Sequence, residues 1–223
     1  MAAVIQSAAM LTQRAIIMTT LERDQLLDRL LRAANSLSRV AIWVAGGLTL
    51  ASALYITADV ITRKFFSFSL GGSDELSGYA FAISISWALA FATLQRANIR
   101  IDALYQLLPI RVCALLDWIA LVGLAVFIVF LTRYASEVAI MSWERGATAN
   151  TVMATPLWIP QFLWLAGLAW LCIVLVLMLL RSSLALVTGD VRTVRAICGI
   201  RSTQDEAVEE AESGKRMVHG ERQ

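Results

Sequence analysis

The sequence predicts an all-α integral membrane protein with four transmembrane helices, additional amphipathic interfacial helices, and N- and C-termini in the cytoplasm. Of its 223 residues, 58% are apolar and 16% are charged, whereas soluble domains average about 25% charged residues. Four stretches are apolar and nearly free of charge over the roughly 20 residues that a bilayer-crossing helix needs. Basic residues cluster in the segments on one side of these stretches, and this bias predicts the orientation.

The supply of reactive side chains argues against a membrane enzyme or electron carrier. The chain has one histidine, His219, and three cysteines without a CxxC pair, so haem ligation and disulfide chemistry lack suitable residues. A phosphate-binding loop of the GxxxxGK[ST] kind is also missing from the sequence. We therefore expect no catalytic residue, no cofactor, no metal site and no nucleic-acid partner.

Residues 1–39 are predicted to form a cytoplasmic segment that contains an amphipathic helix. From about Thr19 onward, leucines recur at three- and four-residue spacing, and arginines occupy much of the remaining surface. A helix of this kind lies in the membrane interface and leads into the first span. The segment lacks the features of a cleavable signal peptide, so we expect it to be retained.

A four-helix membrane domain is predicted over residues 40–181, followed by a polar cytoplasmic tail over 182–223. The third span has a short uncharged core, so it should carry Asp117 at the headgroup boundary, and its helix can continue beyond Arg133. Prolines that suit a first helical turn precede the fourth span. The tail is too polar to build a core of its own. The spans fall at about 40–62, 76–95, 112–133 and 157–180.

The distribution of lysine and arginine predicts the sidedness of the spans. Twelve of these residues lie in the N-terminal segment, the second loop and the first part of the tail, and four lie in the first and third loops. Positive charge accumulates on the cytoplasmic side, so both termini are predicted to be cytoplasmic.

Asp59 is an ionisable residue within the first predicted span. It lies near the outer end of the first span, and Arg63 follows four residues later, which permits pairing on one helix face. We interpret the two as a boundary ion pair, with a proton or ion site at Asp59 as the alternative. That alternative would suit a self-sufficient small homo-oligomeric transporter or pore, since such proteins need ionisable groups within the membrane.

Small residues recur every four positions along the first two spans. Such rows allow close helix approach, and they mark protein contacts because lipid provides no hydrophobic drive for helix association. The neighbour could belong to the same bundle or to a larger partner. The row on the second span is Ala80, Ser84, Ala88 and Ala92, and the row on the first is Ala45, Thr49, Ala53 and Thr57.

Charged residues flank the second span on both sides. Before it, Ser73 or Asp74 can cap the helix, and Asp74 and Glu75 suit the positive end of the helix dipole. Alternatively, these two acids bind basic groups of a partner. After it, Arg96 and Arg100 are expected among lipid phosphates, next to a short amphipathic helix predicted over 102–108.

The order of these features resembles the small permease subunit of the tripartite ATP-independent periplasmic (TRAP) transporters, the DctQ-like family. The similarity is densest over residues 55–110. It departs from the family at Asn98, where histidine is usual, and before the acidic pair, where tryptophan is common. The matching motifs are Arg63-Lys64-Phe65-Phe66, Asp74-Glu75-Leu76, Trp87 with Ala90, the stretch from Arg96 to Asp102, and Leu108-Pro109.

This resemblance implies a complex of three parts in the bacterial inner membrane and periplasm. A periplasmic binding protein captures an organic acid, a large permease subunit of about twelve spans carries it with sodium ions, and the small subunit acts as a scaffold surrounded by membrane lipids. The candidate partner or structural residues are Arg63, Asp74, Glu75, Ala80, Ser84, Ala88, Ala92, Arg96, Asn98, Arg100 and Asp102.

Overall fold

The computed structural model describes residues 2–69, 71–97, 108–151 and 153–198. Four helices in these ranges are long and apolar enough to cross a membrane. The predicted all-α membrane fold with four spans is therefore confirmed. The described residues form α1 (Ala2–Phe66), α2 (Ser73–Leu94), α3 (Ile110–Glu144), α4 (Trp158–Val187) and α5 (Val191–Cys198).

Several helices extend further than the charge-free stretches suggested. The helix α1 begins at Ala2, upstream of the start expected near Thr19, and it runs through residue 39 into the first span without a break. The helix α3 continues beyond Arg133 to Glu144. A charge limits how far a helix can enter lipid, but it does not end the helix, because charged residues are good helix formers.

The four long helices form two antiparallel hairpins, α1 with α2 and α3 with α4, that pack together along α4. This helix contacts each of the other described helices. Its buried residues Leu171, Val174 and Leu175 form the centre of the apolar core, together with Leu121 and Ile128 of α3. The core thus lies between the hairpins.

The short helix α5 packs against α3 and α4 within the stretch that the sequence assigned to a polar tail. Its residues Val194 and Cys198 are buried, and Val194 lies in a small cluster with Ala114 and Ala185. The α5 part of the tail therefore extends the bundle instead of forming a separate polar segment.

Asp117 of α3, which was expected at the headgroup boundary, is buried inside the protein at 1% exposure.

The long helix α1 gives the distance between the two ends of the bundle. We call the end with the α1–α2 turn the loop end and the opposite end the α5 end. Asp59 lies at the loop end, Asp28 at the α5 end, and the 1.5 Å rise of an α-helix puts them about 46 Å apart. A bilayer with its headgroups is about 40–45 Å thick, so the bundle is long enough to cross it.

Candidate functional site

A cluster of polar side chains around Asp59 joins the end of α1 to the start of α2. The Asp59 side chain is 1% exposed and pairs with the Arg63 guanidinium, which is 60% exposed. The Ser69 hydroxyl donates to Asp59 Oδ1 and the Ser73 hydroxyl donates to Oδ2, both at 2.9 Å. The structure thus contains the Asp59–Arg63 ion pair. Arg63, Ser69 and Ser73 thus provide hydrogen-bond donors to the buried carboxylate from within the chain.

The start of α2 differs from the expected capping arrangement. Gly72 occupies the N-cap with φ of 66° and no side-chain cap, and Ser73, the first helical residue, uses its hydroxyl on Asp59. A Cβ at Gly72 would lie 2.0 Å from the Met153 sulfur. The Met153 side chain can move aside, but the positive φ favours glycine at this position. The expected caps, Ser73 and Asp74, were therefore wrong.

Glu75 connects α2 to the α3–α4 loop, residues 145–157. The Tyr79 hydroxyl donates to Glu75 Oε1 at 2.9 Å, and the Thr151 hydroxyl donates to Oε2. The neighbouring Asp74 is exposed. Glu75 thus makes contacts within the chain, whereas the Asp74 side chain is exposed.

We expect Glu75→Gln to loosen the α3–α4 loop, because a carboxamide has one acceptor oxygen where a carboxylate has two. At least one of the hydroxyls that hydrogen-bond Glu75, those of Tyr79, Thr151 and Thr155, then loses its acceptor. Loss of one hydrogen bond worth about 1 kcal/mol should speed local amide hydrogen exchange in residues 147–157 about fivefold. Asp74→Asn, a change at the exposed neighbour, should leave the exchange rate as it is. Equal exchange in wild type and Glu75→Gln would contradict this role.

The small residues of α2 lie on two faces rather than on one. Ala80 and Ser84 are buried, and the Ser84 hydroxyl donates to the Ala45 carbonyl of α1 at 3.0 Å. Ala88 and Ala92 are only half-buried. The α4-facing positions are Ser86, which meets Gly167, and Ala90, which belongs to the core. A single row fails to describe α2 because this helix lies between two neighbours.

The small-residue row predicted on α1 faces its neighbours at one position only. Ala45 is buried, whereas Thr49, Ala53 and Thr57 are exposed. The two threonine hydroxyls donate to backbone carbonyls of α1 itself, Thr49 to Ala45 at 3.0 Å and Thr57 to Ala53 at 2.8 Å. Hydrogen bonding inside the helix satisfies these hydroxyls, so they require no neighbouring chain.

A close contact between α2 and α4 was not foreseen from the sequence. An added Cβ at Gly167 would lie 2.4 Å from the Ser86 hydroxyl oxygen, so the two helices touch at that point. Beside it, the Trp87 indole N–H donates to the Leu163 carbonyl at 3.1 Å. A glycine within an apolar span was the one available signal, since small residues permit such approach.

Tryptophan indoles also join other helix pairs. Trp170 of α4 donates to the Ser38 hydroxyl of α1 at 2.9 Å, and Trp118 of α3 donates to the Ser183 hydroxyl of α4 at 3.0 Å. Because an indole combines a large apolar surface with one donor, these side chains hold neighbouring helices in register.

The α5 end carries a second polar cluster that sequence reasoning missed. Arg181, 13% exposed, lies 3.1 Å from Asp24 and 2.9 Å from Asp28. Nearby, Gln95 donates to the Asn35 amide oxygen at 3.1 Å. These contacts connect α1 with α4 and α2. They border a cavity of about 470 Å³ lined by Asp28, Leu31, Arg32, Asn35, Leu94, Gln95, Met178 and Ile197.

The remaining predicted residues follow α2. Arg96 is half-buried just after the helix, with φ of 56°. Asn98, Arg100 and Asp102, together with the interfacial helix predicted over 102–108, fall outside the described residues apart from position 108. Within the described ranges, no three histidine, cysteine, aspartate or glutamate residues are grouped to hold a metal ion.

Comparison with known proteins identifies the family to which this bundle belongs. A family model described as "Tripartite ATP-independent periplasmic transporters, DctQ component" matches residues 52–185. No curated protein and no solved structure matched the chain. The matched region covers more than half of the chain, from the second half of the α1 span through most of α4. This multi-pass membrane protein therefore belongs to the DctQ family and is the small permease subunit of a TRAP transporter.

Proposed function

We propose that this subunit is a scaffold for the large permease subunit of a sodium-coupled organic-acid transporter in the bacterial inner membrane. The solid apolar core between the hairpins, built from Leu, Ile, Val and Ala side chains, supports this proposal. Such a core is suited to holding helices in place. The chemistry of substrate and sodium binding then belongs to the large subunit of about twelve spans.

The proposed orientation places the α5 end in the cytoplasm and the loop end in the periplasm. The excess of basic residues on the α5 side supports this orientation. In this orientation, both terminal segments are cytoplasmic: residues 1–39 before the 40–181 membrane domain and the tail beyond residue 181 after it. Arg63 and Asp74, both exposed at the loop end, would face the periplasmic binding protein.

We expect uptake to require the complete transporter. A tagged copy of this chain should co-purify with the large subunit. Liposomes that contain both membrane subunits should accumulate an organic acid when the binding protein and a sodium gradient are supplied. Liposomes with this chain alone should show no counterflow. Substrate counterflow by this chain alone would favour the self-sufficient transporter, and absence of the large subunit from the purified material would refute the scaffold.

A further inference from the structure

The helix α3 carries an ion pair on its exposed surface. Arg133 Nη1 lies 2.7 Å from Glu137 Oε1, one helical turn away, and the two side chains are 65% and 46% exposed. Ion pairs with this spacing are common on helices in water. The Arg133–Glu137 pair is unusual because of its depth in the membrane.

A contact between α3 and α4 fixes that depth. The hydroxyl of Thr132, the residue before Arg133, lies 3.3 Å from the Cys172 sulfur of α4. Along α4, Cys172 is about 21 Å from Trp158 at one end of the helix and about 14 Å from Arg181 at the other. The headgroup layer on each side of a bilayer is only about 5–8 Å thick. Arg133 and Glu137 therefore lie at the depth of the lipid hydrocarbon.

The pair also points away from the other helices that the structure describes. Ala135 and Ala139 are buried at 4% and 0% exposure and face the bundle. With 100° between successive helical residues, Arg133 and Glu137 lie on the opposite side of α3. Phe130, 60% exposed, and Ile140, 49% exposed, lie on the same side. We call these four residues the α3 outer face.

Charged side chains at hydrocarbon depth almost always face a protein interior or a water-filled cavity. We therefore propose that the large permease subunit packs on the α3 outer face, and that its facing helix presents polar or charged groups to Arg133 and Glu137. This inference rests on the proposed function, which supplies the partner. It adds which face is covered and what chemistry covers it.

Photocrosslinking in the complete transporter tests the location of the interface. With p-benzoylphenylalanine at position 130, we expect adducts with the large subunit at least tenfold more abundant than with the same probe at Phe81. Phe81 is a matched control because it is an equally exposed phenylalanine, at 59%, on α2. Adducts between two copies of this chain, adducts with lipid alone, or equal yields at both positions would overturn the proposal.

A charge exchange tests the chemistry of the interface. Arg133→Glu combined with Glu137→Arg keeps an ion pair at the same spacing, so the cost of placing the chain in lipid is nearly unchanged. The order of the charges relative to a partner is reversed, and we expect about tenfold less large subunit to co-purify. An unchanged yield would overturn the complementary interface. If wild-type chain retains the large subunit while Phe81 gives the stronger crosslink, the scaffold stands and only this interface is wrong.

Discussion

Gly167→Ala is expected to lower the free energy of unfolding by about 2 kcal/mol, within the range for overpacking a tight contact. The new methyl group would lie 2.4 Å from the Ser86 hydroxyl oxygen, 2.9 Å from its Cβ and 3.0 Å from its backbone carbonyl carbon. Rotation of a side chain can relieve only the first of these contacts. The others require α2 and α4 to separate, which also lengthens the Trp87–Leu163 hydrogen bond.

Unfolding in mixed detergent micelles, followed by tryptophan fluorescence, measures this effect. Gly123→Ala provides the control, since a Cβ at Gly123 has no atom within 4 Å and alanine is the better helix former. Ser86→Gly in the Gly167→Ala background removes two of the three close atoms and should restore part of the lost stability. Equal stability of the two alanine variants would show that the helices do not touch at Gly167.

Asp59→Asn is expected to lower the free energy of unfolding by about 2 kcal/mol, because it removes the charged acceptor from the hydrogen bonds that satisfy a buried carboxylate. An asparagine side chain keeps the size of aspartate but has a donor NH2 in place of one acceptor oxygen, so the Ser69 and Ser73 hydroxyls, which use different oxygens, can no longer both donate to it. The ion pair itself contributes less, because the Arg63 side chain is 60% exposed and exposed pairs are worth about 0–1 kcal/mol.

The same unfolding measurement separates the two contributions at Asp59. Asp74→Asn makes the same chemical change at an exposed site of the same turn and should have little effect. Arg63→Gln should cost less than Asp59→Asn. If Arg63→Gln costs as much, the ion pair holds the cluster together and the serine hydroxyls do not.

The number and the approximate positions of the spans could be predicted because transfer into lipid depends directly on composition. The exact helix ends could not. The third span was predicted to end at Arg133, yet Arg133 supports helix formation by pairing with Glu137 one turn later, and α3 continues to Glu144. A stretch without charged residues shows which part of a helix can lie in the bilayer. The full length of the helix also depends on hydrogen bonds within it.

At the candidate site, a contact between residues close in sequence could be predicted, whereas a contact between distant residues could not. Asp59 and Arg63 are four residues apart, so their pairing could be anticipated from helix geometry. Glu75 and Thr151 are 76 residues apart, and no periodicity in the sequence brings them together. Ala80 and Ser84 of the small-residue row on α2 are buried, but one row cannot represent a helix that packs against two neighbours.

The central position of α4 has a consequence for biosynthesis. Because α4 packs against every other described helix, the two hairpins have few places to attach to each other without it. Chains emerge from the ribosome with the N-terminal part first, so α1, α2 and α3 enter the membrane before their common neighbour exists. Insertion of α4 is then the step at which the α1–α2 hairpin and α3 become one folded subunit.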